Sequence, residues 1–317
     1  MLETWFTLNL PTRETVALQR QRFFPEGMDG GFSFQHIKRF SVLSGIHGDE
    51  LEGLYSCHRL VSFLKENPQA IKGVIDIYPS LNPLGVSMTR RFVPFFEMDL
   101  NRMFPGDSLG NLPEKMAHAI IHAVSGSSVA VDLHASNIFL KEIPQVRIDE
   151  GNASKLLPLA RLLNVDFVWV YPSVTVLRST LAHSLNSIGV RTLVVEMGVG
   201  LRVTPAFGDQ VVSGLIRLMA NEGFLALDEL PEVRKPIVSI NEQVYFINAG
   251  CPGLFIPRAD HGERVGNDEA IGQIVSPLTG EVLETIKSPA DGLLFTLRAY
   301  PIVFEGSLVA RVCALEG

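Results

Sequence analysis

Five short apolar runs constrain this chain most: "FSVLSG" (40–45), "GVIDIYPS" (73–80), "SVAVDLH" (128–134), "VDFVWVYP" (165–172) and "RTLVVEMG" (191–198). Each is short, rich in Val, Leu and Ile, and bounded by Gly, Pro or polar residues, which is the pattern of a buried strand. Longer stretches with helical periodicity stand between or after them, at 50–66, 113–124, 153–163, 178–188 and 208–221. Parallel strands need crossover connections, and crossovers place helices over the sheet, so both faces of such strands are buried. The order up to about residue 225 therefore predicts an α/β fold, with a mostly parallel or mixed sheet and helices on both faces.

The texture changes after "EGFLALDELPE". From about residue 232, short alternating strands are separated by Gly, Pro and Asp turns, with no convincing helix. We therefore divide the chain into an α/β domain over 1–230 and an all-β domain over 231–317. A length of 317 residues is ample for such a pair, each with its own core. Within the second part, "GLFIPRADHGERVGNDEAIGQIV" and "GLLFTLRAYPIVFEGSLVARV" share one order of Gly-Leu, strand, turn, Gly, strand, a weak internal duplication.

Composition narrows the function classes. With 46% apolar and 19% charged residues the chain is neither disordered nor fibrous. A net charge of -7 and the lack of a Lys/Arg run argue against nucleic acid as a partner. Cys57, Cys251 and Cys313 are odd in number, far apart and never in a C-x-x-C pair, which suits a reducing compartment and indicates neither a disulfide framework nor a thiolate zinc site. "MLETWFTLNLPTRE" lacks the basic and apolar regions of a signal peptide, and no apolar run reaches membrane length. The expectation is a cytoplasmic protein with no membrane partner; a homo-oligomer is compatible with it.

The chemistry begins at "SGIHGDELEG" (44–53), which sets His47 and Glu50 three positions apart. Residues so spaced on a helical turn share a side and could face one ion, although an acid near a helix N-terminus is also favoured by the dipole alone. His134 closes another apolar strand. Two imidazoles and one carboxylate make the His₂Glu set of catalytic zinc, with one position left for water or substrate, so one Zn²⁺ per chain is expected. Glu196 ends a third strand before a glycine-rich loop and is the candidate general base; its plain alternative is a carboxylate capping that turn. In open α/β sheets the carboxyl ends of strands form the ligand crevice, where these segments can converge. Asn101 and Arg102 offer an amide and a guanidinium for a substrate carboxylate, and either Arg90 or Arg91 could hold an oxyanion.

Taken in order, H-G-D-E (47–50), N-P (82–83), R-F (91–92), D-L-N-R-M-F-P-G (99–106), D-L-H (132–134) and E-M-G (196–198) resemble the succinylglutamate desuccinylase/aspartoacylase family, a branch of the zinc carboxypeptidase-like fold. The resemblance covers about residues 40 to 215. It implies His47, Glu50 and His134 as zinc ligands, Glu196 as general base, and Asn101 with Arg102 as the grip on the substrate carboxylate. It also implies Asp99 as the acid that orients a zinc histidine, a support that ligating imidazoles usually have. Arg91, followed by Phe92, is the closer match to the family's oxyanion arginine. "RFVPFFEMD" is longer and more apolar than aspartoacylases show, and the choice between Arg90 and Arg91 stays open. "ASNIFLKEIPQVR", after His134, offers no counterpart to the residues that give aspartoacylase its acid specificity. Arg178, opening a helix before Glu196, is a candidate second substrate arginine.

The C-terminal part resembles a biotinyl/lipoyl-like β domain, notably at "ETIKSPADGLL". Lys287 directly abuts "SPADG" rather than standing at a hairpin tip, so a scaffold that walls the active site or builds an oligomer is preferred to a carrier. His118 and His122 stand at i, i+4 without an acid partner and read as surface or packed histidines. The expected function is a zinc-dependent hydrolase cleaving the amide of an N-acyl amino acid or similar small carboxylated amide. The alternatives are a zinc carboxypeptidase acting on short peptides and a non-catalytic zinc-binding module.

Overall fold

A computed structural model describes residues 1–28, 38–172, 178–240 and 243–315. In chain order its elements are β1 (Leu2–Asn9), β2 (Thr15–Phe23), β3 (Arg39–Ser44), α1 (Glu52–Glu66), β4 (Val74–Tyr78), α2 (Pro83–Met88), α3 (Leu112–Val124), β5 (Val129–Ala135), β6 (Leu140–Asp149), α4 (Ala153–Ala160), β7 (Phe167–Tyr171), α5 (Leu181–Ser187), β8 (Arg191–Gly198) and α6 (Pro205–Asn221). There follow β9 (Ile237–Ile240), β10 (Val244–Asn248), β11 (Gly253–Pro257), β12 (Arg264–Val265), β13 (Ala270–Val275), β14 (Val282–Lys287), β15 (Gly292–Arg298), β16 (Ile302–Val303) and β17 (Leu308–Ala314). The five apolar runs are β3, β4, β5, β7 and β8, and each of the five helical stretches contains a helix.

Strands β4, β3, β5 and β8 lie side by side and parallel, while β7 joins them through β6. β6 runs antiparallel to β8, so the sheet is mixed. Two elements stand outside the sequence expectation. The hairpin β1–β2 extends one edge by pairing β2 antiparallel to β4. Its attachment is ionic: Arg22 Nε and Nη2 donate to the two oxygens of the fully buried Asp76 at 2.6 and 2.7 Å, with Arg20 and Arg39 at 3.6 and 3.8 Å. The other is β6, which lies centrally despite Pro144 and its charges.

Side chains alternate across a strand, so the register sorts this sheet into two faces. One face sends Val131, Leu133, Val146, Ile148, Val195 and Met197 into the main core against α1, α4 and α6. A fully buried Val, Leu or Ile contributes roughly 1.5–3 kcal/mol, and this core is the principal source of stability. On the opposite face Leu43 and Ala130 pack with α3 and α5, which confirms helices on both sides. Further along that face the residues turn polar: Asp132 and His134 on β5 stand beside Val194 and Glu196 on β8, and Gln145 and Arg147 on β6 stand beside Glu196 and Val194.

β6 is also where the sheet forks. Its beginning pairs with β15 (Glu142 opposite Thr296) and its end with β7 (Arg147 opposite Trp169). β17 and β10 continue outward from β15. The C-terminal strands thereby join the same hydrogen-bonded sheet as β5 and β8, while β14, β13, β11 and β16 form a second, small sheet. The duplication is visible as an exchange: β12 of the first half pairs with β15 of the second, and β16 of the second pairs with β11 of the first.

Candidate metal centre and active site

His47 and Glu50 lie on a turn that leaves β3, closed by Glu50 N–H donating to His47 C=O at 3.4 Å, and α1 begins only at Glu52. The turn is pressed against α2 itself. A Cβ on Gly48 would lie 2.0 Å from the carbonyl carbon of Gly85, so only glycine allows the approach. The N-P pair has a local task there. Asn82 is fully buried; its Oδ1 accepts from Gly85 N–H at 3.0 Å and its Nδ2 donates to the Phe92 carbonyl at 3.2 Å, tying down the segment that carries Arg91.

β5 delivers His134 to the same point. His47 Nδ1 lies 2.7 Å from Glu50 Oε1, and His134 Nδ1 lies 2.9 Å from Glu50 Oε2. One ligand atom from each of the three residues falls within 4.8 Å of the others, and all three side chains are buried. The far nitrogens are fixed by acids: Nε2 of His47 is 3.1 Å from Asp99 Oδ1, and Nε2 of His134 is 2.9 Å from Asp132 Oδ2. An ionised carboxylate can only accept, so both Nε2 atoms carry hydrogen; both Nδ1 atoms face Glu50, and a metal ion would bind them there in place of a proton. Burial opposes charge on Glu50, yet the two imidazoles hold its carboxyl well below the usual range.

These residues fit zinc. The donor set is the one catalytic zinc uses, both imidazoles have supporting acids, and His47 Nδ1 is a buried polar atom with no hydrogen-bond partner despite its closeness to Glu50. Among the described residues this is the group of three potential ligands that converge. Among the described residues, His118 and His122 meet edge to face with ring centres 5.7 Å apart on α3 and belong to no such group.

Glu196 is the register neighbour of His134. Burial, with the charges of Glu142 and Glu50, raises its carboxyl above the usual range, against the opposing pull of Arg147 and His134. The loop after it is held by Glu52: Gly198 takes φ +65°, and a Cβ there would lie 2.0 Å from Glu52 Oε1. Glu52 Oε2 in turn accepts from Thr204 N–H at 2.9 Å.

The two candidate oxyanion arginines part company. Arg91 faces the centre, donating to Glu50 Oε1 at 2.9 Å and to Asp99 Oδ2 at 3.2 Å. Arg90 is exposed and pairs with Glu97 at 3.4 Å on the outer surface. Asn101 and Arg102 follow Asp99 on a short 3-10 turn, and both line the cavity. Asn101 Oδ1 accepts from Leu181 N–H at 2.9 Å, anchoring that turn to α5. Arg178 is exposed at the approach to α5 and is not among the cavity-lining residues. Lys287 ends β14 and pairs with Asp268 at 3.1 Å.

The cavity above the centre measures about 870 Å³. Sequence reasoning had missed much of its wall. Asp132 was hidden in plain sight two residues before His134. Arg147 and Glu142 were missed with β6, although Val146 and Ile148 alternating with Gln145, Arg147 and Asp149 is a strand signal. Arg311 and Phe246 arrive from the C-terminal strands β17 and β10, which no local pattern could place here.

Comparison with known proteins agrees with this geometry. The family model described as the succinylglutamate desuccinylase/aspartoacylase catalytic domain matches residues 36–221. An N-alpha-acetyl-L-2,4-diaminobutyric acid deacetylase of Halomonas elongata is 37% identical over 104 residues, 32% of this chain and only 30% of that protein's length. Among solved structures, a succinylglutamate desuccinylase from Silicibacter sp. TM1040 superposes with a TM-score of 0.84 at 19% identity, covering 99% of this chain and 95% of that one. The product-bound ectoine utilization protein EutE (DoeB) of Ruegeria pomeroyi gives 0.80 at 18% identity, covering 98% and 93%. At these identities the structural likeness is one of fold.

Proposed function

The chain belongs to the succinylglutamate desuccinylase/aspartoacylase family, and from that premise we propose that it is a zinc-dependent hydrolase cleaving the amide bond of an N-acyl amino acid or related small carboxylated amide. The observation that carries the reading is the convergence of His47, Glu50 and His134 beside Glu196 and Arg91 in one cavity. The relative named as an N-acetyl-diaminobutyrate deacetylase supports the substrate class.

His47 Nδ1, Glu50 and His134 Nδ1 would hold the ion, with Asp99 and Asp132 keeping both rings in the ligating tautomer. What zinc supplies in such a site is Lewis-acid polarisation of a carbonyl and acidification of water. Glu196 takes the proton of the attacking water and later gives it to the leaving nitrogen, a task for which a raised carboxyl pKa is suited. Arg91 stabilises the oxyanion of the tetrahedral intermediate. Arg102 and Asn101 orient the substrate carboxylate at the cavity mouth. Arg90, exposed and paired with Glu97, takes no part in this mechanism, and neither does Arg178.

One observation favours a second reading, a carboxypeptidase: about 870 Å³ lies toward the upper end of small-molecule pockets and would admit a short peptide. Amine release from N-acetyl and N-succinyl amino acids, compared with release from short peptides, separates the two. Turnover of a bare acyl amino acid supports the deacylase, and turnover of peptides alone replaces it by the peptidase. The biotinyl/lipoyl-like character of the C-terminal strands, their role as a wall of the site and a cytoplasmic location belong to the same proposal. No helix among the described residues is long and apolar enough to cross a membrane.

A further inference from the structure

We infer that Arg147 is a positioning residue for the Glu196 carboxylate, and that β15 and β17 of the C-terminal part hold Arg147 in place through Glu142. This rests on Glu196 being the base. Arg147 Nη1 donates to Glu196 Oε1 at 3.1 Å, while its Nη2 donates to both oxygens of Glu142 at 2.8 Å each. Glu142 is 1% exposed and is itself clamped by Arg311 Nη1 at 2.7 Å and Thr296 Oγ1 at 3.1 Å. The Arg147 and Arg311 guanidiniums each lie 5.9 Å from the Trp169 ring centre, and Arg311 lies 5.3 Å from that of Phe246.

The fork of β6 creates this cluster, since it sets β15 against one end of the strand and β7 against the other. A buried carboxylate met by so many donors is fixed in place, and a planar guanidinium gripped by it has little freedom left. Its remaining arm meets one oxygen of Glu196. A glutamate has three rotatable bonds, and a side chain lying against a cavity of this size would otherwise sample several rotamers. The Arg147 contact selects one of them and occupies Oε1, leaving Oε2 for the proton of the attacking water. Held this way, the reach from Glu196 to the metal centre is set partly by residues that lie 100 or more positions further along the chain.

The test is Arg147→Ala in the full chain, assayed on the acyl amino acid that the wild type turns over best, with and without added guanidinium chloride. A displaced base costs on the order of 10²-fold. The expected result is such a fall in kcat with little change in KM, unchanged metal content, and partial recovery of kcat in guanidinium that the wild type does not show. Arg147→Lys, which keeps the charge but loses the fork, should fall in between, and it carries the test if the alanine variant fails to fold. Arg311→Met should lower kcat less than Arg147→Ala. Unchanged kcat in both Arg147 variants, or a loss confined to KM, overturns the inference while leaving a Glu196-dependent hydrolase intact. If the wild type hydrolyses no acyl amino acid, the functional reading fails instead, and a crystal structure of Arg147→Ala still decides this one. Glu196 rotated away from its place beside His134 supports it, and an unmoved carboxylate overturns it.

Discussion

Replacing Asp132 by alanine should weaken zinc binding without touching a ligand atom. Asp132 is 1% exposed, and its Oδ2, 2.9 Å from Nε2, is the acceptor for the far nitrogen of His134. His134 is itself 4% exposed, so bulk water replaces that acceptor poorly. Leaving a buried N–H without its acceptor costs about 1–3 kcal/mol. That range corresponds to roughly a 5- to 150-fold loss of affinity, at about 1.4 kcal/mol per factor of ten. It brackets the 10- to 100-fold loss on the order of which supporting acids are generally worth at metal sites. Asp132→Asn keeps an acceptor oxygen of the same reach and loses only the charge assistance, so its loss should be smaller than that of Asp132→Ala. Competition titration against a chromophoric chelator at fixed pH gives both values, with circular dichroism to check the fold. Zinc affinity within about twofold of wild type for a folded Asp132→Ala would refute the reasoning, as would an asparagine variant as weak as the alanine one.

Arg91→Ala should lower kcat by about 10²–10³-fold, the usual worth of one oxyanion donor, read from steady-state kinetics with metal content held equal. Asp76→Ala should destabilise the fold by about 3–5 kcal/mol in urea unfolding, because Arg20, Arg22 and Arg39 would be left facing one another around an empty position. Burial pushes the Cys57 thiol up from its usual 9.0 to about 12. The folded state thus favours the neutral thiol, and this contribution is complete below pH 9 and lost as pH rises toward 12. Stability should accordingly fall more between pH 8.5 and 10.5 in the wild type than in Cys57→Ala, and Cys57 should resist thiol reagents at pH 8 until the protein unfolds.

The sequence carried the residues at strand ends well, because their identity and spacing are local. His47, Glu50, His134 and Glu196 each follow or close a run of Val, Leu and Ile, and the parallel register then brings His134 beside Glu196. Asp99 came from a family likeness, and so did the preference for Arg91 over Arg90, since the loop 91–99 has no repeating pattern. β6 is absent from the strand candidates for the reason that makes it useful: its polar face lines a cavity, and Pro144 interrupts its alternation. The hairpin β1–β2 was unread because its edge position is set by ion pairs to Asp76, a contact between residues far apart in the chain. The same holds for Arg311 and Phe246, whose place depends on β15 choosing β6 as its neighbour. Pairing at such sequence separation follows from loop closure and packing, and neither is written in a local window.

Amine release from a panel of N-acetyl and N-succinyl amino acids, N-acetyl diamino acids and short peptides, with zinc-loaded wild type beside Glu196→Gln, tests the central claim most directly. The account predicts that at least one acyl amino acid is turned over and that Glu196→Gln, with the same zinc content, is dead on it. Equal turnover by the two proteins would contradict it.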